Sequence, residues 1–158
     1  DALLAAPRAA DRQVDEQVLR LVERPRARAR ALVPEAGVLL AVHEHVDVVG
    51  AYLEERLATL SDLPLVGDVR CQKFMACVEF VADKRTKALF ADEINIGERI
   101  HSRAQSKGLL VRPIMHLNVM SPPLILSCAQ VDEIVETLRV CILEVAGELE
   151  QNGLYFGQ

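Results

Sequence analysis

Two long stretches of the chain carry an apolar residue at every third or fourth position, the spacing that lines one face of an α-helix. They cover residues 39–60 and 131–149. Their apolar positions are Leu39, Val42, Val46, Val49, Leu53, Leu57 and Leu60 in the first stretch, and Val131, Ile134, Val135, Leu138, Ile142, Val145 and Leu149 in the second. Ser127 with Gln130 three residues later predicts a capping box before the second stretch. A third, shorter helix is predicted over residues 92–107, with Gly108 as its C-terminal stop.

Alternating apolar positions indicate strands between these helices. Residues 73–81 predict a strand, and after Lys73 both of its alternating sets are apolar except for Glu79, so we expect it to be buried on both faces. Residues 109–112 and 117–120 predict two short strands around Pro113, and residues 124–126 a further extended piece. Pro122 and Pro123 exclude an ordinary ladder at their own positions, because proline has no N–H to donate.

The order helix, strands, helix, strands, helix predicts an α+β fold, in which a small, mainly antiparallel sheet carries helices on one face. We expect this domain to span residues 38–150. Residues 1–37 are rich in Ala and Arg and are interrupted by prolines, which leaves a short helix near residues 14–22 and otherwise a loose arm. Residues 151–158 form a tail that resembles the scar of a protease cleavage site, and we assign it no function.

The composition argues against several classes of function. The chain has 158 residues, enough for one domain with a substantial core. A net charge of -5 and a pI near 5.4 argue against nucleic acid or an anionic membrane surface as the main partner. The sequence has no run of about 18 apolar residues, so we predict no membrane span. The four cysteines form no Cys-x-x-Cys pair, which favours reduced thiols and a cytoplasmic protein.

Few polar residues are candidates for metal binding or acid–base chemistry. His43 and His45 lie two positions apart in a predicted helix and therefore point about 200° from each other. Because no third ligand is near them, we predict no zinc site. Glu79 has no partner carboxylate and is expected in an ion pair or on an exposed face. His116 is expected in a loop, either as an exposed histidine or as a residue that tunes substrate choice.

Five segments resemble, in the same order, the class III pyridoxal-phosphate-dependent aminotransferases. They are residues 63–70 (LPLVGDVR), 74–84 (FMACVEFVADK), 108–114 (GLLVRPI), 121–127 (SPPLILS) and 131–135 (VDEIV). The likeness covers roughly residues 41–150, and the nearest subgroup is the ω-amino-acid or diamine:pyruvate transaminases. Several motifs in the right order are a specific signal, whereas one short motif would be weak. In one departure, residues 70–73 read Arg-Cys-Gln-Lys where the family usually has Arg-Gly-x-Gly.

The resemblance implies the C-terminal small domain of a homodimeric fold-type-I enzyme. Such an enzyme moves an amino group from an amine or ω-amino acid to a 2-oxo acid such as pyruvate. The family holds pyridoxal phosphate where a large and a small domain meet, as a Schiff base on a lysine of the large domain. The four lysines here lack the family's surrounding sequence, so we expect this chain alone to bind no cofactor and to be inactive. A non-catalytic interaction or assembly domain that reuses the same fold is the alternative.

Arg112 is the residue to which the resemblance gives a direct role. In the family, the matching arginine ends a strand, binds the carboxylate of the substrate and can swing aside for uncharged substrates. A guanidinium group suits this role because it offers a rigid, two-pronged donor to a carboxylate. The structural alternative is an arginine that emerges from the sheet into water or makes an ion pair within the domain.

Overall fold

The helices lie close to where the apolar periodicity predicts them. The computed structural model describes residues 37–155, with side chains from residue 41 onward. These residues include three α-helices, α1 (Gly37–Ala58), α2 (Ile96–Ser106) and α3 (Cys128–Gln151). At the start of α3 the Ser127 hydroxyl accepts a hydrogen bond from the Gln130 N–H, which confirms the predicted capping box. The short helix expected near residues 14–22, most of the N-terminal arm and the end of the tail lie outside the described residues.

Four short strands form an antiparallel sheet in this part of the chain. They are β1 (Val66–Gln72), β2 (Met75–Phe80), β3 (Arg112–Ile114) and β4 (Leu117–Met120). The order across the sheet is β1-β2-β4-β3, so β4 pairs with β2 on one side and with β3 on the other. As a result, β1 and β3 are the two edge strands.

One face of the sheet shares a single apolar core with all three helices. Val78 and Phe80 of β2 are fully buried in this core, together with Leu57 of α1, Ile100 of α2 and Leu138 of α3. The predicted α+β class, an antiparallel sheet with helices on one face, is therefore confirmed. None of the helices within residues 37–155 is long and apolar enough to cross a membrane.

Strand β1 was not predicted, because its alternation is interrupted. The register between β1 and β2 shifts between Val66 and Asp68, which marks a bulge at Gly67. A bulge inserts an extra residue and changes the phase of the side chains that follow it. The strand therefore has no simple period-two pattern, and the Gly-Asp pair resembles a turn when it is read from the sequence alone.

Three predicted segments differ from the structure. Strand β2 is buried on one face only, since Met75 is exposed and Cys77 and Glu79 are half-buried. The strand predicted over residues 109–112 lies later, at Arg112–Ile114, because β3 begins only where β4 offers backbone partners. The extended piece at residues 124–126 is instead a turn, in which Leu126 N–H donates to the Pro123 carbonyl.

The predicted helix over residues 92–107 is divided at Asn95. A short 3-10 helix covers Asp92–Ile94, and Asn95 then takes a left-handed conformation with φ of 47° before α2 begins. Asparagine is one of the few residues with a side chain that adopts this conformation readily. The apolar line of α2 survives the break, because Ile96, Ile100 and Ala104 are all buried.

The β1–β2 turn contains the departure from the family pattern. Lys73 is the first of two residues between the strands and has φ of 54°. Glycine, the family's usual residue at this point, adopts such a conformation without strain. The turn closes nevertheless, because the Lys73 N–H donates to Glu54 Oε1 at 2.7 Å and its Nζ lies 3.3 Å from Asp47 Oδ1. The strands on either side remain paired as far as Gln72 and Met75.

A polar cluster of Tyr52, Arg56, Asp132 and Glu136 joins α1 to α3. The Tyr52 hydroxyl and the Arg56 Nε both donate to Asp132 Oδ1 at 2.7 Å. Arg56 also pairs with Glu136 at 3.3 Å. The hydrogen bond from Tyr52, and then the interactions with Arg56, hold the pKa of Asp132 below its usual range.

We expect the stability of the chain to fall as the pH drops below about 5, partly through Asp132. Because the pKa of Asp132 is lower in the folded chain, its contribution is present above the unfolded pKa and is lost as the pH falls through the folded pKa. Urea midpoints between pH 6 and 3 should therefore decline less steeply in Asp132→Asn than in the wild type.

The matched control is Glu133→Gln, at an exposed position on the same helix turn with no ion pair among the described residues. This control should keep the wild-type slope. Parallel midpoint curves for the wild type and Asp132→Asn would contradict the role of the cluster. The difference should also shrink in high salt, since the cluster is open to solvent.

Candidate functional site

Arg112 begins edge strand β3 and points away from the helices. It pairs with Val119 of β4, Val119 pairs with Cys77 of β2, and Cys77 pairs with Arg70 of β1. Residues directly opposite each other in an antiparallel sheet project from the same face. The four therefore form one row across the face of the sheet opposite the helices, which we call the open face. The two arginines stand at its ends, about 14 Å apart if neighbouring strands are about 4.8 Å apart.

The two arginines of this row differ in their partners. Arg70 donates to Glu79 Oε2 at 2.9 Å and lies 3.7 Å from Asp68 Oδ2. Its contact with Cys77, followed by the charges of nearby carboxylates, raises the pKa of Arg70. Arg112 is exposed and makes no ion pair or side-chain hydrogen bond with any residue that the structure describes. Of the two guanidinium groups in the row, only that of Arg112 is thus available to an added anion.

The surroundings of Arg112 are mainly apolar. Ile114 and Leu117, two residues along their strands from Arg112 and Val119, project from the same open face. Arg112 also borders a separate open groove of about 750 Å³ at the edge of the sheet, whose lining includes Pro122, Pro123, Leu57 of α1 and Ile134 of α3. An unpaired guanidinium beside apolar side chains can bind a carboxylate more strongly than it could in open water, because the local dielectric is lower.

None of the four lysines is placed as a cofactor lysine would be. Lys84 donates to the carbonyls of Ser61 and Leu63, and Lys87 to the carbonyl of Gly67. Lys73 pairs with Asp47, and Lys107 with Glu144 at 2.9 Å. Lys107 lines the same groove as Arg112, but its partner is a carboxylate on α3. Each lysine amine is therefore engaged by a carboxylate or a backbone carbonyl, and the described residues offer no unpaired amine for a Schiff base with pyridoxal phosphate.

The other residues that the sequence analysis considered have structural contacts. Glu79 makes an ion pair with Arg70, which is one of the two outcomes predicted for it, the other being an exposed face. His45 Nε2 lies 2.8 Å from the Leu126 carbonyl, across 81 positions of sequence. His116 is half-buried rather than exposed and lines a small pocket with Phe90 and Asn95, because the β3–β4 turn folds back towards the start of α2. Within residues 37–155 no three His, Cys, Asp or Glu side chains are grouped so as to hold a metal ion.

All four cysteines are free thiols, and two of them, Cys71 and Cys141, are held in surroundings that disfavour the thiolate. Burial raises the pKa of Cys71 to about 11, and burial likewise raises the pKa of Cys141. A thiol with a raised pKa carries little thiolate at neutral pH and reacts slowly. Neither cysteine is therefore a candidate for covalent catalysis.

Two residues that pack at the β3–β4 hairpin, Asn118 and Gly97, were not predicted from the sequence. Asn118 is the buried polar residue of the described core, with a side chain that is 0% exposed. Gly97 packs so closely on the β3–β4 turn that a Cβ atom there would lie 2.6 Å from the Met115 carbonyl oxygen. The signal for Asn118 was present, because it alternates with Met120 on β4 and so occupies a core position with a polar side chain.

Known proteins with a similar sequence are aminotransferases. The chain is 37% identical to adenosylmethionine-8-amino-7-oxononanoate aminotransferase of Nitratidesulfovibrio vulgaris over 105 residues, which is 64% of this chain and 19% of that protein. It is 33% identical to putrescine–pyruvate aminotransferase of Pseudomonas aeruginosa over 95 residues, 60% of this chain and 21% of that protein. No protein-family model matches the chain.

Solved structures agree with the sequence comparison. An omega-transferase from Vibrio fluvialis superposes with a TM-score of 0.67 and 33% identity, covering 70% of this chain and 26% of that one. An omega-aminotransferase from Paracoccus denitrificans superposes with a TM-score of 0.66 and 34% identity, covering 68% and 24%. The chain thus spans only about a fifth to a quarter of the length of these relatives. Over that part of its length, the chain belongs to the class III pyridoxal-phosphate-dependent aminotransferases.

Proposed function

We propose that this chain is the C-terminal small domain of a transaminase that moves an amino group from an amine or ω-amino acid to a 2-oxo acid such as pyruvate. Its own contribution is Arg112, which binds the carboxylate of the oxo acid or amino acid. The observation that carries this proposal is the unpaired guanidinium of Arg112 on the open face, in contrast to the ion-paired Arg70 in the same row.

The chemistry of Arg112 suits a carboxylate. A guanidinium donates two parallel hydrogen bonds to the two oxygens and so fixes the orientation of the carboxylate as well as its position. Arg112 has no carboxylate partner among the described residues, so its guanidinium group is free to bind the carboxylate of a substrate. The neighbouring Val119, Ile114 and Leu117 would exclude water from one side of that contact.

Pyridoxal phosphate would be held by parts of the enzyme that lie outside this chain. The cofactor supplies the electron sink that makes amino-group transfer possible. The four lysines are engaged with carboxylates or backbone carbonyls, and this supports a division in which the chain contributes substrate binding.

The proposed setting is a cytoplasmic homo-oligomer. Free thiols at all four cysteines support a reducing compartment. Several large apolar side chains are exposed, among them Leu110, which lines the groove, at 72% and Ile125 at 82%, which supports burial against further protein. In the assembled enzyme these side chains would pack against the parts of the enzyme outside this chain or against a second copy.

The full-length protein that contains this chain is expected to convert pyruvate to alanine in the presence of pyridoxal phosphate and an amine donor. The 158-residue chain alone should show neither this activity nor a stable visible absorption band after mixing with the cofactor and gel filtration. A stable yellow adduct that Lys107→Ala abolishes would contradict the assignment of the cofactor to the rest of the enzyme.

The same assay separates the transaminase from the alternative assembly domain. An assembly domain predicts no amino-group transfer with any amine donor, even in the full-length protein. In the sequence upstream of this chain, the absence of a family cofactor lysine and its aspartate would likewise favour the assembly domain.

A further inference from the structure

The position of Arg112 depends on the short hairpin formed by β3 and β4. Strand β3 has three residues and pairs only with β4 among the described strands. Its middle residue, Pro113, has no N–H and cannot strengthen the ladder. An arginine on such a short edge strand needs a further contact that holds the hairpin in place.

That contact comes from the first turn of α2. The Gly97 N–H donates to the Met115 carbonyl at 3.1 Å. The first N–H groups of a helix have no partner within the helix, and Asn95 makes no side-chain capping bond at this end. The turn of the hairpin therefore supplies the cap, and Met115 is held there although its φ of 54° is one that residues with a side chain seldom adopt.

Asn118 completes the contact from the other strand of the hairpin. With its amide oriented towards the two carbonyls, its nitrogen donates to Gly97 O at 3.1 Å and to Leu117 O at 3.2 Å. Its neighbours across the sheet are Val78 and Pro113, both apolar. A buried amide in such surroundings is costly unless it is hydrogen-bonded, so it strongly favours the one arrangement that satisfies it.

We infer that Asn118 and Gly97 are positioning residues for the substrate carboxylate, because together they lock the hairpin that carries Arg112 onto the start of α2. The inference rests on the proposed function of Arg112. Neither residue touches the substrate in this scheme. Asn118 links β4 to α2 by hydrogen bonds, and Gly97 has no side chain to keep the two backbones apart. Because Arg112 pairs with Val119 of β4, the placement of β4 also fixes where the guanidinium begins.

The test uses Asn118→Leu in the full-length enzyme. Leucine has the same number of side-chain heavy atoms and the same branch point and needs no hydrogen bond, so the variant is expected to fold, with some overpacking, while it loses the tie to Gly97. We expect KM for the 2-oxo acid to rise about tenfold, while kcat and KM for the amine donor change less than twofold. The matched control is Ile142→Val, a buried change in α3 that lowers stability without touching the hairpin.

The outcomes are distinct. An unchanged KM for the oxo acid in Asn118→Leu, or an equal change in Ile142→Val, would overturn the inference. If the wild-type enzyme transfers no amino group, the proposed function fails instead. Hydrogen exchange in the 158-residue chain separately tests the structural part of the inference, the lock of the hairpin onto α2, because Asn118→Leu should speed exchange of the hairpin amides (residues 114–119) about tenfold over Ile142→Val. Equal exchange in the two variants would overturn it.

Discussion

Replacing Arg112 by alanine in the full-length enzyme is expected to raise KM for pyruvate, or another 2-oxo acid, roughly 30- to 150-fold. This range corresponds to the loss of about 2–3 kcal/mol from one charge-assisted, two-pronged contact. KM for a simple amine donor should change little, because an amine without a carboxylate gives Arg112 nothing to bind. Steady-state kinetics with the two substrates varied separately would measure both effects.

Two further variants sharpen this result. Arg112→Lys should recover only part of the affinity, since an ammonium group keeps the charge but loses the planar fork. Arg70→Ala is the matched control, because Arg70 stands in the same row but is already paired with Glu79 and Asp68. It should leave the preference between the two substrates unchanged. Equal losses for amine and oxo acid in Arg112→Ala, together with a lower melting temperature, would assign Arg112 a structural role instead.

Gly97→Ala is expected to lower the free energy of unfolding by about 3 kcal/mol, at the upper end of the range for overpacking. An added Cβ would lie 2.6 Å from the Met115 carbonyl oxygen and 2.9 Å from that of Leu117. Both are backbone atoms of the β3–β4 hairpin, so neither can move aside as the end of a flexible side chain could. Urea unfolding of the 158-residue chain would measure the loss.

Gly147→Ala is the natural control for that variant. Gly147 lies inside α3, and apart from its chain neighbours and the nearby backbone of that helix no atom of the described residues lies within 4 Å of where its Cβ would be. Alanine is a better helix former than glycine by up to about 1 kcal/mol, so this change should stabilise the chain. If both variants shift the urea midpoint in the same direction, the close approach of Gly97 to the hairpin is not the cause.

The two predictions test different parts of one arrangement. Arg112 supplies the contact with the substrate carboxylate. Gly97 lets the start of α2 lie close to the β3–β4 hairpin that carries Arg112. The relatives are four to five times longer than the part that this chain matches, since it covers 19% to 26% of them. Arg112 is therefore proposed as one contributor to a site whose cofactor and remaining walls come from elsewhere in the enzyme.

The long helices and the family resemblance could be predicted from local features of the chain. The apolar stripe of α3 and its Ser127–Gln130 capping box are local features, set by the 3.6-residue period and by hydrogen bonds three residues apart. The motifs that resemble the family, such as residues 108–114, are also local, because each is a short run of adjacent residues. These predictions needed no knowledge of which strands pair.

Strand register was decided only by the tertiary structure. The row from Arg70 through Cys77 and Val119 to Arg112 joins residues up to 42 positions apart, and the bulge at Gly67 hid β1 from any local pattern. Pairing of the carboxylates with Arg70 rather than with Arg112 follows from that register. The contact of Asn118 with Gly97 likewise depends on where α2 meets the hairpin. Such choices are made by packing over the whole core, because a shift of one residue would turn every side chain of a strand to the other face.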